Sequence, residues 1–287
     1  MTTAACKSAS KSGRKKFLII PIVLLALLIL AAFDTRLTIR RYTIDAPEIT
    51  GNINIAFVAD LHSCSYDSGQ STLINAINSL NPDLILLGGD IFDDELPDEN
   101  TELFLAGIAD RYPCYYVSGN HECWSGTERF SIQMSILEKY GVTILSGEHD
   151  VVSVRGESIN ICGIDDPDAF YVSDEYPGVT DQLKSFGAAF ENGLYTVLLA
   201  HRPEYFDTYS EYDFDLILCG HAHGGQWRIP LILNGLFAPG QGIFPEYAGG
   251  QYTQADSTMI VSRGLAREST RIPRLFNRPE LLLIELK

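Results

Sequence analysis

The chain has no C-x-x-C pair and no regular spacing among its six cysteines, Cys6, Cys64, Cys114, Cys123, Cys162 and Cys219. That excludes a structural zinc ribbon and a disulfide scaffold. Cys64 and Cys123 each closely follow a candidate ligand, yet free thiols are the reading. Positive charge is also scarce. Five of the 21 basic residues (Lys7, Lys11, Arg14, Lys15, Lys16) precede residue 17, leaving sixteen against 37 acids. Such a surface is a poor partner for nucleic acid, whose phosphates need neutralising cations. No internal repeat or low-complexity tract is present. The acidic run Asp165-Asp166-Pro167-Asp168 lacks the spaced oxygens and glycine of a calcium-binding EF-hand loop and reads as a solvated loop.

What is present begins with a basic tail, residues 1–16, followed by an unbroken apolar run over residues 17–33. As a helix the run is about 26 Å long, the short end of what crosses a bilayer, and it has no polar face to solvate. It exceeds the usual apolar region of a cleaved signal peptide, and Ala31-Ala32-Phe33-Asp34 makes a poor cleavage site. The segment reads as a retained, single-pass signal anchor. The basic residues upstream predict a cytoplasmic tail and a main domain outside the cytoplasm, a bias weakened by Arg36, Arg40 and Arg41. Residues 34–50 read as a juxtamembrane connector, with a short strand at 37–44, and the folded domain as residues 51–287.

Within the domain, short apolar runs alternate with helical patterns. Strands are predicted at 53–59, 83–87 and 114–117, and helices at 71–80, 99–110 and 130–140. This βαβα alternation predicts an α/β fold with a largely parallel inner sheet covered by helices. Short alternating segments between 142 and 164 predict antiparallel strands of a second sheet. Further strands are expected at 195–200, 215–219, 258–262 and 280–285. The Gly-, Pro- and aromatic-rich stretch 231–252 reads equally as a loop bordering a site or as a covering loop.

The strand ends carry the chemistry. The first delivers Asp60 and His62, the second Gly89-Asp90, the third Asn120-His121-Glu122, and the later ones His201 and Gly220-His221-Ala222-His223. In α/β sheets the carboxyl ends of strands are where sites collect. Asp60, His62, Asp90, Asn120, His201, His221 and His223 supply seven N/O donors, too many for one four-coordinate zinc. They suit two divalent ions sharing a carboxylate. With no cysteine among them, manganese or iron is favoured over a thiolate site, and zinc remains compatible with imidazole and carboxylate. The H-x-H-x-D-H cluster of another metal-hydrolase type is absent.

Asp60-x-His62, Gly89-Asp90, Gly119-Asn120-His121-Glu122, His201 and Gly220-His221-x-His223 together resemble the calcineurin-like metallophosphoesterases in order and spacing. Gly224-Gly225-Gln226, Arg228-Ile229-Pro230 and the segment 271–280 look like the family's bacterial membrane-associated branch, some of whose members are described as phosphodiesterases or lipid-sugar nucleotide pyrophosphatases. The resemblance implies a four-layer α/β/β/α sandwich of two mixed sheets flanked by helices. It implies one metal on Asp60, His62, Asp90 and His223, and another on Asp90, Asn120, His201 and His221. His121 would lie beside the phosphate as acid or positive partner, and Glu122 would orient His121, support a ligand or merely open a helix. The activity implied is direct hydrolysis of a phosphodiester or pyrophosphate by hydroxide bridging the two cations. A scaffold protein that binds metal without turnover is the alternative, opposed by the complete ligand set. Nothing in the sequence indicates an oligomeric state.

Overall fold

The computed structural model describes residues 11–267 and 272–287, and for residues 11–18 the backbone only. Residues 1–10 of the expected basic tail, and Arg271, lie outside the described residues. In chain order the strands are β1 (Thr38–Ile44), β2 (Ile53–Val58), β3 (Leu84–Gly88), β4 (Cys114–Val117), β5 (Thr143–Ile144), β6 (Glu148–Val154), β7 (Glu157–Gly163), β8 (Thr196–Leu199), β9 (Leu216–Cys219), β10 (Phe237–Ala238), β11 (Gly242–Ile243), β12 (Gly250–Gln254), β13 (Ser257–Val261) and β14 (Glu280–Leu286). The helices are α1 (Lys11–Ala32), α2 (Ser71–Leu80), α3 (Glu99–Ile108), α4 (Asn120–Trp124), α5 (Thr127–Lys139), α6 (Val179–Lys184), α7 (Gly187–Glu191) and α8 (Phe206–Tyr209).

Two six-stranded mixed sheets form the domain, in the orders β1-β14-β2-β3-β4-β5 and β12-β13-β9-β8-β7-β6. Strands β2 to β5 run parallel in the first, and β7, β8, β9 and β13 run parallel in the second. Strands β3, β4, β8 and β9 are buried along their whole length, which is why they read as continuous apolar runs rather than alternating ones. Three apolar layers hold the stack. Ile55, Phe57 and Leu86 meet Ile159, Val197 and Leu218 between the sheets. Ile85 and Leu87 face Leu73, Ile77 and Phe104 under α2 and α3. Leu198 and Ile217 face Leu183, Phe186 and Phe206 on the far side. Each such side chain contributes about 1.5–3 kcal/mol by leaving water. Helix α2 buries Leu73, Ile77 and Leu80 at helical spacing and ends on Asn81 in the left-handed region (φ 47°), ahead of Pro82.

The structure departs from the sequence reading in three places. The short strand expected within residues 34–50 forms and joins the domain: β1 pairs in parallel with β14, so the first sheet begins before residue 51. Thr143–Ile144 does not join the second sheet but extends the first beside β4. The second sheet is antiparallel only at its edges, β6 on β7 and β12 on β13. Two residues are too few for periodicity to say which sheet they enter.

Helix α1 stands off the domain. Its apolar side chains from Ile19 to Leu30 are exposed, and its C-terminal end is tied down where Phe276 N donates to Ala32 O at 2.7 Å. Among the described residues no helix is long and apolar enough to cross a membrane. The expected span 17–33 includes residues 17 and 18, whose side chains lie outside the described residues.

Candidate metal centre

The carboxyl ends of both sheets' central strands converge on one spot. After β2 and β3 the two loops run side by side: Asp60 N donates to Gly89 O, His62 N to Asp90 O, and Ser63 N to Ile91 O. Holding side chains toward one another in such tight loops requires unusual backbone. Asp60, His62, Asp90, His221 and His223 all have positive φ, between 47° and 65°, a conformation that costs a non-glycine residue about 1 kcal/mol or more. Strain of this kind persists only where surrounding structure fixes it, and it collects at functional sites. Glycines make the remaining room. Gly89 has φ +83°, and a Cβ there would stand 2.6 Å from His201 Nδ1. Gly264, 204 residues from Asp60 in sequence, leaves the space that the Asp60 carboxylate fills.

The structure buries all seven predicted donors, each to 6% exposure or less, and brings six of them into two clusters, with Asn120 opening α4. Asp60, His62, Asp90 and His223 place one ligand atom each within 4.8 Å of one another, and so do Asp90, His201 and His221. Asp90 belongs to both groups: its Oδ2 lies 3.5 Å from His62 Nε2 and 3.1 Å from His201 Nε2. Each of the seven also keeps one buried atom with no hydrogen-bond partner among the described residues. These are Asp60 Oδ2, His62 Nε2, Asp90 Oδ2, Asn120 Oδ1, His201 Nε2, His221 Nε2 and His223 Nδ1. One such orphan costs about 1–3 kcal/mol, and native structures leave few. Such atoms gathered in two clusters that share Asp90 fit cationic ligands, and a carboxylate and imidazole set suits borderline to hard divalent ions.

Other atoms of the same side chains are held. His62 Nδ1 bonds Asp93 Oδ2 at 3.1 Å and His201 Nδ1 bonds Gly88 O at 2.8 Å, leaving each Nε2 inward. Asp60 Oδ1 accepts from His221 N and Asp90 Oδ1 from His121 N, both at 2.8 Å. Such outer partners fix the orientation of metal-binding side chains. Among the described residues Asp93 also groups with His62 and His121.

Electrostatics sort the site. Burial by itself would raise Asp90, but the charges of His201 and His121 hold it well below the carboxylate range. Burial lowers His201, yet Asp90 outweighs it and carries the imidazole to about 10, a measure of how strongly this field holds positive charge. His221 and His223 are pushed well below 6.5, first by burial and then by His201 and His62 respectively. Neutral imidazoles are the form that ligates metal.

His121 lies at the rim, its side chain 22% exposed, with Nδ1 donating to Asp94 Oδ1 at 2.6 Å. Burial opposes its protonation, but the Asp90 and Asp94 charges raise its pKa above the ordinary value. Glu122 does not touch the His121 ring. Its carboxylate accepts the backbone N–H groups of Asp90, Ile91, Phe92 and Gly119 at 2.7–3.0 Å, locking the β3 loop to the start of α4. Burial and Asp90 push it up to about 7 against those four donors.

Asp166, expected in a solvated loop, is 1% exposed and takes a two-pronged bond from Arg202 at 2.8 and 2.9 Å. Arg202 also reaches Asp168, which accepts from Trp124 Nε1, so this acidic run braces the rim. Glu204 stands 3.7 Å from His221 Nε2. The five described cysteines are buried, and no disulfide joins Cys64 to Cys123. Sequence reading passed over Asp93, Asp94, Arg202 and Glu204. Asp93-Asp94 directly follow the Asp90 loop, and Arg202 directly follows His201; that adjacency was the one available signal.

Residues 53–225 match the family described as Calcineurin-like phosphoesterase. The chain is 32% identical over 237 residues to Phosphodiesterase YaeI of Escherichia coli, covering 81% of each chain. It is 27% identical over 236 residues to the uncharacterized metallophosphoesterase YkuE of Bacillus subtilis, covering 80% of this chain and 77% of that one. Among solved structures it resembles the NAD nucleotidase of Haemophilus influenzae, with TM-score 0.52 and 17% identity over 76% of this chain. It spans about half of that protein, 46% of its length, and the likeness is one of fold.

Proposed function

The chain belongs to the calcineurin-like phosphoesterase family and is a metal-dependent phosphoester hydrolase, and from that premise we propose a membrane-anchored two-metal enzyme that hydrolyses a phosphodiester or pyrophosphate of a lipid-linked or envelope compound. The observation that carries this reading is the pair of buried clusters that share Asp90, whose inward atoms have no hydrogen-bond partner among the described residues. Asp60, His62, Asp90 and His223 would hold one divalent ion, and Asp90, Asn120, His201 and His221 the other, with manganese, iron or zinc as the metals. Bound there, the ions would lower the pKa of water and neutralise phosphoryl charge.

The chain's own residues do the rest. Asp90 keeps both groups of donors in register through Oδ2, while its Oδ1 holds the His121 backbone. Asp94 takes Nδ1–H of His121, which leaves Nε2 to face the ester; protonated, it donates to a phosphoryl oxygen or to the leaving group. Glu122 holds the two loops at fixed separation, so the donors need not reorganise during reaction. The exposed apolar surface of α1 and the basic residues before it support an anchor with the domain outside the cytoplasm.

The test is turnover of aryl phosphate, bis-aryl phosphate, cyclic nucleotide, nucleotide sugar and lipid phosphate after reconstitution with manganese. Hydrolysis of at least one diester or pyrophosphate is expected, and Asp90→Asn or His221→Ala should lower it by at least ~100-fold with the fold intact. Full activity in either variant would sink the two-metal reading, and inactivity on the whole panel would favour the metal-binding scaffold. Protection of the domain from protease on intact cells would contradict its placement outside.

A further inference from the structure

The strongest unexplained feature lies just past the last metal-type histidine. Two residues beyond His223 the chain leaves the site at Gly225 and runs into Trp227, Ile229, Leu231 and Ile232, which are presented to solvent, Leu231 fully and Ile232 at 82%. Phe237, Ile243 and Phe244 on the β10–β11 turn are also exposed, Phe244 at 68%. A cluster of this size would not be left in water on a protein with 37 acids to spend on its surface. Between the two groups of side chains Gly225, Gln226, Trp227, Leu236, Phe237 and Ile272 line a groove of about 160 Å³.

Backbone hydrogen bonds run without a break from this face to the apolar helix. Ala32 O at the end of α1 accepts from Phe276 N, and Leu275 O, one residue earlier, accepts from Arg228 N. Trp227 bridges Leu275 in parallel, and its Nε1 donates to Pro273 O at 3.0 Å. Arg278 closes the collar by donating to Arg36 O and Leu37 O at 2.8 and 3.0 Å. The face is therefore tied to the end of α1, with Arg36, Arg228 and Arg278 set along the junction and Asp34 paired to Arg36 and Arg278, in a chain of formal charge −16. Apolar side chains flanked by arginines are what the headgroup region of an anionic bilayer accepts.

We infer that the face carrying Trp227, Ile229, Leu231, Ile232, Phe237 and Phe244 beds in the surface of a lipid bilayer beside α1, and that the groove it borders receives the apolar chain of an amphiphilic phosphoester. The metal-type cluster then opens toward the membrane plane, and the substrate need not leave the bilayer completely to be cleaved. The substrate half of this inference rests on the phosphoesterase reading above; the docking half does not.

Trp227 is a built-in probe, because the chain's other tryptophan is Trp124. Full-length protein carrying Trp124→Phe is mixed with vesicles of phosphatidylcholine and phosphatidylglycerol brominated on the acyl chains. The protein should float with the vesicles, and Trp227 emission should fall by roughly half or more relative to unbrominated lipid. Flotation with unquenched Trp227 overturns the inference and leaves the anchor standing; failure to float sinks both. In a second experiment Leu231→Glu with Ile232→Glu, in a loop without metal donors, should keep bis-aryl phosphate turnover within ~2-fold and lose ~10-fold on phosphatidylglycerol in vesicles. Equal turnover of the vesicle lipid by both proteins, or an equal loss on both substrates, overturns the groove assignment. A parent protein inactive on both substrates fails the phosphoesterase reading, while the quenching result still decides the docking face.

Discussion

The role proposed for His121 depends on a neighbour as much as on its own position. The 2.6 Å bond to Asp94 fixes which nitrogen points outward, and the charges of Asp90 and Asp94 raise the ring's pKa against burial. Asp94→Asn should preserve the contact but remove the charge, lowering kcat by ~10–100-fold with little change in bound metal, a smaller loss than His121→Ala at ~100-fold or more. Steady-state kinetics paired with metal analysis checks this, and a variant that loses metal in proportion to activity refutes the assignment to His121. Glu122 poses the opposite case. Each of its oxygens accepts two backbone N–H groups, so Glu122→Gln aims an amide donor at two other donors. The expected cost is about 2–4 kcal/mol, read as a lower urea midpoint. That Asp60, His62, Asp90, His201, His221 and His223 would meet was legible because each stands just past an apolar strand run, where sites in α/β sheets collect. Asp93, Asp94 and Glu122 were not, because a carboxylate that accepts from backbone or imidazole leaves the same mark in sequence as one facing water.

At the level of elements, the loops matter more than the strands they follow. Long buried strands such as β3 and β9 announce themselves as apolar runs, whereas β5, with two residues, takes its sheet from contacts that no local pattern encodes. The same holds for the pairing of β1, a strand the sequence offers at 37–44 but whose partner β14 lies some 240 residues away. The β3 loop permits a clean separation of two effects. Gly89 and Gly126 have nearly equal φ, +83° and +84°, but a Cβ on Gly89 would meet His201 at 2.6 Å while one on Gly126 would meet nothing within 4 Å. Gly126→Ala should therefore cost only backbone strain, about 1–3 kcal/mol, with manganese affinity unchanged. Gly89→Ala adds displacement of the His201 ring and should weaken manganese binding by ~10–100-fold. Titration calorimetry on the two proteins distinguishes them, and equal affinities would mean that the β3 loop does not set the ring's position.

For the whole molecule, the architecture packs two sheets face to face across a shared apolar layer, so that both present parallel strand ends to the same point. That arrangement was legible as an alternation of strands and helices, since the central strands are buried on both faces. The face beyond β9 was not, because exposure of apolar residues is a property of the assembled surface. Bringing the ends together concentrates Asp60, Asp90, Asp93 and Asp94 around imidazoles in a buried space, a cost the fold carries whenever no cation is bound. Divalent ions that bind only the folded state should recover it by mass action: at 100 times Kd one site adds about 2.7 kcal/mol. For a domain of this size that is a rise in Tm of roughly 5–10 °C. Calorimetry after chelation and again after adding manganese should show the rise in the parent protein and little of it in Asp90→Asn, which removes the carboxylate common to both groups of donors. A rise of equal size in both would place the stabilising ions elsewhere on the acidic surface and break the link between the strained loops and metal binding.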